Sequence, residues 1–150
     1  DQGLVVDGNQ DGVPDDCDLF SVDTSTISTS QGGIQNMFVT PGAGEAGQAY
    51  WILGSLTGTS PGLPIAPGVV LPLVPDGYFG LTISEAGNAP FVNFIGTLDA
   101  GGNATATLTI GPGLPASLVG VKAYHAYLLA DPGFVAFHDA SPFVGVQLVD

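Results

Sequence analysis

Apolar residues come in short runs, and within many of those runs apolar and polar positions alternate with a period of two. The clearest case is Ala104-Thr105-Ala106-Thr107-Leu108-Thr109-Ile110. Its threonines fall on one face and its apolar residues on the other, as a half-buried β-strand requires. Tyr124-His125-Ala126-Tyr127-Leu128-Leu129 also suits an extended strand. β-Branched and aromatic residues fill such runs, and Gly, Pro, Asn and Asp separate them. This pattern predicts strands at 21–30, 34–40, 49–56, 69–73, 78–83, 91–98, 104–110, 121–129 and 143–149, with a further short one at Leu4-Val5-Val6. No window carries the i, i+3, i+4, i+7 apolar stripe of a helix without a Gly or Pro inside it.

The punctuation carries its own signals. Asp99-Ala100-Gly101-Gly102-Asn103 joins two strong strands and predicts a hairpin turn, since Gly102 and Asn103 tolerate positive φ. Residues 58–64 read as a longer loop, and the prolines from Pro64 to Pro75 keep that region out of a central strand. Many short strands at this spacing predict an all-β fold of two packed antiparallel sheets. Trp51, Phe79, Phe94, Tyr124 and Tyr127 are the candidate core aromatics. The organisation expected is an N-terminal strand and loop at 1–20 and one β domain at 21–150.

Composition sharpens this reading. The chain has 150 residues, which suits one domain with a real core. Its 23 glycines and 12 prolines have no fixed period, which excludes collagen and calls for many tight turns. There are 14 acids and one base, Lys122, for a net charge of −13. Nucleic-acid binding needs several cationic side chains, so that partner is excluded, and anionic membranes repel such a surface. No apolar run is long enough to span a bilayer. No signal-peptide pattern is visible; a mature secreted form with its leader removed fits an extracellular setting. What this chain attracts is cations.

The acids are unevenly placed. Asp1, Asp7, Asp11, Asp15, Asp16, Asp18 and Asp23 all fall within the first 23 residues. Such a cluster repels itself unless a cation sits inside it. In Asp7-Gly8-Asn9-Gln10-Asp11-Gly12-Val13-Pro14-Asp15-Asp16-Cys17-Asp18, oxygen side chains fall at loop positions 1, 3, 5, 9 and 12. These are Asp7, Asn9, Asp11, Asp15 and Asp18. Gly12 sits at position 6, where the loop turns sharply, and Val13 at position 7 offers its backbone carbonyl. This is the ligand spacing of an EF-hand loop, and Ca²⁺, a hard cation, takes six to eight such oxygens.

This segment resembles the acidic calcium loops of thrombospondin type 3 repeats and dockerins. It is closer still to tracts of the form D-x-N-x-D-G-x-P-D-x-C-D in secreted bacterial surface proteins. Two departures stand out. Asp18 replaces the bidentate Glu of a standard EF-hand, which shortens its reach. The related tracts often carry a second cysteine where this chain has Gly8, which leaves Cys17 without that local partner. The rest of the chain resembles the immunoglobulin-like sandwich modules of bacterial surface proteins, with 98–105 typical of their hairpins. The resemblance therefore implies an antiparallel immunoglobulin-like β-sandwich with an N-terminal calcium-binding loop.

Other chemistry is sparse. Cys17 is the only cysteine, so no disulfide forms within the chain. It reads as a small, partly buried residue, with an intermolecular link as the alternative. His125 falls in a predicted strand and His138 in a loop, and no Gly-x-Ser-x-Gly elbow accompanies them. Glu45 and Glu85 are the only glutamates and lie in predicted loops, which is a poor start for a glycosidase pair. There is no phosphate loop and no zinc spacing. Asn103-Ala104-Thr105 is a formal N-glycosylation sequon at a turn with room for a glycan; the favoured reading is an unmodified turn asparagine, with an attached glycan as the alternative. The function expected is a non-enzymatic extracellular structural module, a Ca²⁺-stabilised subunit of a surface filament whose partners are copies of itself joined head to tail. The alternative is a carbohydrate-binding or adhesive module, which exposed rings at Trp51, Tyr50 and Tyr78 would favour.

Overall fold

The computed structural model describes residues 19–88, 90–134 and 136–150. Among them β-structure dominates. The strands are β1 (Phe20–Val22), β2 (Thr26–Ser28), β3 (Gly33–Val39), β4 (Ala49–Ser55), β5 (Leu63–Ala66), β6 (Val69–Leu71), β7 (Phe91–Val92), β8 (Ile95–Thr97), β9 (Ala104–Ile110), β10 (Lys122–Ala130), β11 (Phe137–Ala140) and β12 (Val144–Val149), with one helix, α1 (Gly77–Ser84). The first sheet has the order β1-β3-β9-β7. The second has the order β2-β12-β10-β4-β8, with β11 also on β10, and β5-β6 form a small third sheet. Neighbours are antiparallel except β2 and β12, which run parallel.

The period-two pattern does what it predicts in the first sheet. β3 and β9 pair along their whole length, from Gly33 opposite Ile110 to Val39 opposite Ala104. Gln35, Met37, Val39, Ala106 and Leu108 turn inward, while Ile34, Phe38 and Thr105 face solvent. The inward side chains meet Tyr50, Ile52, Tyr127, Leu129 and Val146 of the second sheet in one buried cluster. The opposite face of the second sheet is covered too. There Leu53, Ala126 and Leu128 pack with Leu71, Leu73 and Phe79 from β6, the chain after it and α1. The central strands β4 and β10 are thus buried on both faces, which is why they read as near-continuous apolar runs. Phe79, Phe94 and Tyr127 are core residues as expected; Trp51 and Tyr124 are half-buried against the second cluster.

Several expectations are corrected. The strand expected at 78–83 is the helix α1. Asp76 caps it, its carboxylate accepting from the Phe79 amide at 2.9 Å, and the Glu85 amide closes it on the Leu81 carbonyl at 2.8 Å. The helix forms although Tyr-Phe and Thr-Ile are β-prone pairs: Asp76 caps its first turn, and the Tyr78 and Phe79 side chains pack against the two core clusters. The single strand expected at 21–30 is two strands in different sheets. The crossing between them is held by Asp23, which accepts from the Asn36 amide at 2.9 Å and its side chain at 2.7 Å. Buried Gln35 also donates to the Thr24 carbonyl at 2.6 Å.

The strand expected at 91–98 also divides, into β7 of the first sheet and β8 of the second, and Asn93 between them has φ 59°. The turn at 99–103 forms, with the Gly102 amide on the Asp99 carbonyl at 2.9 Å and the Asp99 carboxylate accepting from Gly101 and Asn103. It is not a hairpin, because β8 and β9 belong to different sheets and the turn arches between them. Gly102, at φ 76°, lies so close to the Gly42 carbonyl that a Cβ would not fit. β5 and β11 are strands where the sequence pattern predicts none, although Pro64 does stay in a peripheral sheet.

Candidate functional site

The predicted ligands Asp7, Asn9, Asp11, Val13, Asp15 and Asp18 lie outside the described residues, as do Leu4–Val6 and Cys17. The structure does describe how the chain emerges from that segment. The Leu19 carbonyl accepts from the Thr40 amide at 3.0 Å and from the Tyr127 hydroxyl at 2.8 Å. Phe20 is buried, with its ring edge-on to Tyr127 at 5.1 Å. The residue after Asp18 is therefore tied at once to the end of β3 and to β10, one strand from each main sheet.

That corner is acidic. Leu19, Pro41, Glu45, Tyr127, Asp139 and Ser141 line a small cavity of about 70 Å³. Burial, and then the carboxylates of Asp139 and Glu45, push the Tyr127 hydroxyl's pKa up, so it keeps its proton for Leu19. His138 lies 2.8 Å from a Glu45 oxygen through Nε2 and 3.6 Å from Asp131 through Nδ1. Among the described residues no group of three or more His, Cys, Asp or Glu is placed to hold a metal ion.

The other histidine is a packing residue. His125 is fully buried, with Nε2 2.7 Å from the Tyr78 hydroxyl and its ring edge-on to Phe94. Gly54 makes room for this pair, since a Cβ there would collide with both rings. Burial holds the His125 pKa down to about 3, so the ring is neutral at ordinary pH. The buried serines Ser55 and Ser141 are used structurally: Ser55 donates to the Val74 carbonyl and Ser141 to the Pro142 carbonyl. Glu45 is engaged with His138, and Glu85 ends α1.

The aromatic rings that would make a sugar platform are engaged inside the fold. Tyr50 is buried and donates to the Asn93 carbonyl at 2.8 Å. Trp51 donates to the Thr82 carbonyl at 3.2 Å and packs on Phe134. Tyr78 is bonded to His125. Asn103 and Thr105 of the sequon are exposed.

One feature is barely marked in the sequence. At the end of the fold away from Leu19, an apolar slot of about 170 Å³ opens between the main sheets, bounded by Ile110, Leu118, Val121, Ala123, Leu148 and Leu56. Its only sequence signal is Leu118-Val119, an apolar pair between Pro115 and Gly120 in a stretch that otherwise reads as loop. Lys122 lies beside it, on a neighbouring pocket with Thr26, Tyr124 and Gln147. No helix among the described residues is long and apolar enough to cross a membrane. No protein-family model matches the chain, and no curated protein matches it in sequence.

Proposed function

We propose that this chain is a non-enzymatic extracellular structural module, an immunoglobulin-like β-sandwich that carries one Ca²⁺ in its 7–18 loop and repeats head to tail in a surface filament. The observation that carries the reading is the ligand spacing of Asp7, Asn9, Asp11, Val13, Asp15 and Asp18 around Gly12. The donor set is four carboxylates, one amide and a backbone carbonyl, all hard oxygens suited to Ca²⁺ rather than to a softer metal. The ion neutralises a cluster that otherwise repels itself.

The fold gives this loop a firm base. Leu19 follows the last ligand directly and is bonded into both sheets, so order imposed by the ion passes straight into the body. The neutral, sequestered His125 and the inward-turned Tyr50, Trp51 and Tyr78 favour a structural role over an enzyme or a sugar platform built on those rings. Calorimetry tests the reading. The chain should bind one Ca²⁺, and Asp11→Ala should lose most of that affinity because a central ligand disappears beside uncompensated carboxylates. Equal affinity in the variant would sink the assignment.

A further inference from the structure

We infer that the hollow around Lys122 binds an acidic sugar, a pyranose ring that carries a carboxylate. Strand register builds the site. Lys122 of β10 stands opposite Gln147 of β12, and Gln147 stands opposite Thr26 of β2. The three side chains therefore form one row across three neighbouring strands. They leave the sheet on the face away from Ala123, Val146 and Ile27, which turn into the core between the main sheets. One step along, Tyr124 stands opposite Gly145. That glycine adds no side chain, and a hollow of about 310 Å³ remains there, lined by the row, Tyr124, Gly145 and Ser25. Small-molecule sites begin at roughly this size, about 300 Å³.

The hollow offers hydrogen-bonding capacity that the fold does not use. Among the described residues, the side-chain polar groups of Ser25, Thr26, Lys122, Tyr124 and Gln147 have no hydrogen-bond or ion-pair partner. Polar side chains elsewhere are engaged: Asp23 holds Asn36, Asp76 holds Leu56, Thr57 and Phe79, and Ser55 holds Val74. Hydroxyls and an amide both donate and accept, which matches a ligand rich in hydroxyls. Tyr124 supplies the apolar wall on which a sugar ring packs. It meets the exposed Phe143 ring edge-on at 5.8 Å, which fixes its orientation. The site owes nothing to Tyr50, Trp51 or Tyr78, which are engaged inside the fold.

Charge selects the carboxylate. Lys122 is the only Lys or Arg in the chain, and it lines this hollow. Three carboxylates belong to the surrounding elements. Asp23 precedes Ser25 by two residues, Asp150 follows Gln147 by three, and Asp76 accepts from Ser55, which pairs with Tyr124. None of them lies within ion-pair distance of the Lys122 ammonium. At long range the net charge of −13 repels anions, so the site suits a ring with one carboxylate rather than a densely charged polymer. An acidic peptide shares the carboxylate but leaves the free hydroxyls of Ser25, Thr26 and Tyr124 without a match.

The test titrates methyl glucuronide into the isotope-labelled full chain and follows it by NMR, with and without Ca²⁺. The backbone signals of Thr26, Lys122, Tyr124, Gly145 and Gln147 should shift together and saturate in both conditions. Methyl glucoside has the same ring without the charge, and N-acetylglutamate amide has a carboxylate without the hydroxyls. Each should bind about tenfold or more weakly. Lys122→Gln keeps an exposed polar side chain and should lose the preference for glucuronide over glucoside. Gly145→Val puts a side chain into the hollow. A Cβ there meets the Tyr124 ring at an ordinary 3.7 Å, so the strand should survive while binding falls by a similar factor. Absent or unsaturable shifts, or an undiminished preference in Lys122→Gln, overturn the inference. Equal binding of the glucoside removes the role of charge, and equal binding of the glutamate makes this a site for acidic peptides; either overturns it. Binding that appears only with Ca²⁺ would make the ion, not Lys122, the partner of the carboxylate, and overturns it too. The inference does not rest on the calcium reading, which keeps its own calorimetric test.

Discussion

The Tyr127 hydroxyl donates to the Leu19 carbonyl at 2.8 Å, and that carbonyl also accepts from the Thr40 amide. Tyr127 belongs to the central strand of the second sheet and Thr40 follows an inner strand of the first. The first residue after the acidic loop is therefore clamped between the sheets. Tyr127→Phe keeps the ring against Phe20 and removes only the hydroxyl. It should cost about 1 kcal/mol in stability, the usual worth of one buried hydrogen bond. If the proposed Ca²⁺ loop braces the body through Leu19, the same substitution should also shrink the gain in stability on adding Ca²⁺. Urea unfolding with and without Ca²⁺ measures both; an unchanged Ca²⁺ increment would mean that this clamp does not couple loop to body.

A second prediction concerns acid. His125 is fully buried and neutral, with a pKa held down to about 3 by burial, against 6.5 when exposed. Below 6.5 the unfolded chain takes up a proton that the folded chain refuses until about pH 3. Stability present above 6.5 is therefore lost progressively as pH falls toward 3, at up to about 1.4 kcal/mol per unit. Asp23 and Asp76, whose pKa values lie below the ordinary 3.8, add their loss only below that value. His125→Gln has no such proton to refuse, and its stability should be much flatter between pH 6.5 and 4. The comparison is made in EDTA, so that protonation of calcium ligands does not enter. Parallel curves for the two proteins would reject this account.

Asp76 organises the start of α1. One oxygen accepts from the Phe79 amide, and the other accepts from the amides of Leu56 and Thr57 and from the Thr57 hydroxyl. Burial alone would raise its pKa, but these hydrogen bonds together outweigh that and lower it. Asp76→Ala removes the cap and takes an acceptor from the Leu56 amide, while the Thr57 amide keeps the Ser55 hydroxyl oxygen at 3.1 Å, so a loss of about 1–2 kcal/mol is expected. Asp76→Asn keeps an acceptor and should lose less. Equal losses in thermal or urea unfolding would show that the charge, not the cap geometry, matters most.

The β class was legible because its signal is local. The alternation at 104–110 and the apolar run at 122–130 each announce a strand without help from distant residues. What was not legible depends on partners far along the chain. The segments 21–30 and 91–98 each look continuous, yet each is divided between the two sheets, and the reasons are contacts of Asp23 with Asn36 and a reversal at Asn93. α1 was not legible because Tyr, Phe, Thr and Ile suit a strand, while the Asp76 carboxylate that caps the helix also binds the Leu56 and Thr57 amides, far back along the chain. The proposed calcium loop rests on spacing alone, because its candidate ligands are contiguous in sequence, and it lies outside the described residues. The apolar slot was unreadable, since its walls come from six separate stretches of sequence.

The last prediction joins the loop to the body through a single peptide bond. Lys122 is the only Lys or Arg in the chain, so a lysine-specific protease that needs no calcium itself has one target, the Lys122–Ala123 bond. Complete digestion of the unfolded chain gives pieces of 122 and 28 residues, which sum to 150. In the folded protein the Lys122 side chain is exposed, but its backbone opens β10, with Lys122 opposite Gln147 and Ala123 opposite Val146. A protease needs several residues extended and free, so the strand must leave the sheet before cleavage. When opening is fast relative to cutting, the cleavage rate follows the population of opened chain. A ligand at one hundred times its dissociation constant stabilises the folded state by about 2.7 kcal/mol, which lowers that population about a hundredfold. Saturating Ca²⁺ should slow the cut by up to that factor, and Asp11→Ala should be cut at one rate with or without the ion. Should Ca²⁺ leave the rate for the unaltered chain unchanged while calorimetry still reports binding, the loop would be a passenger that holds its ion without bracing the sheets.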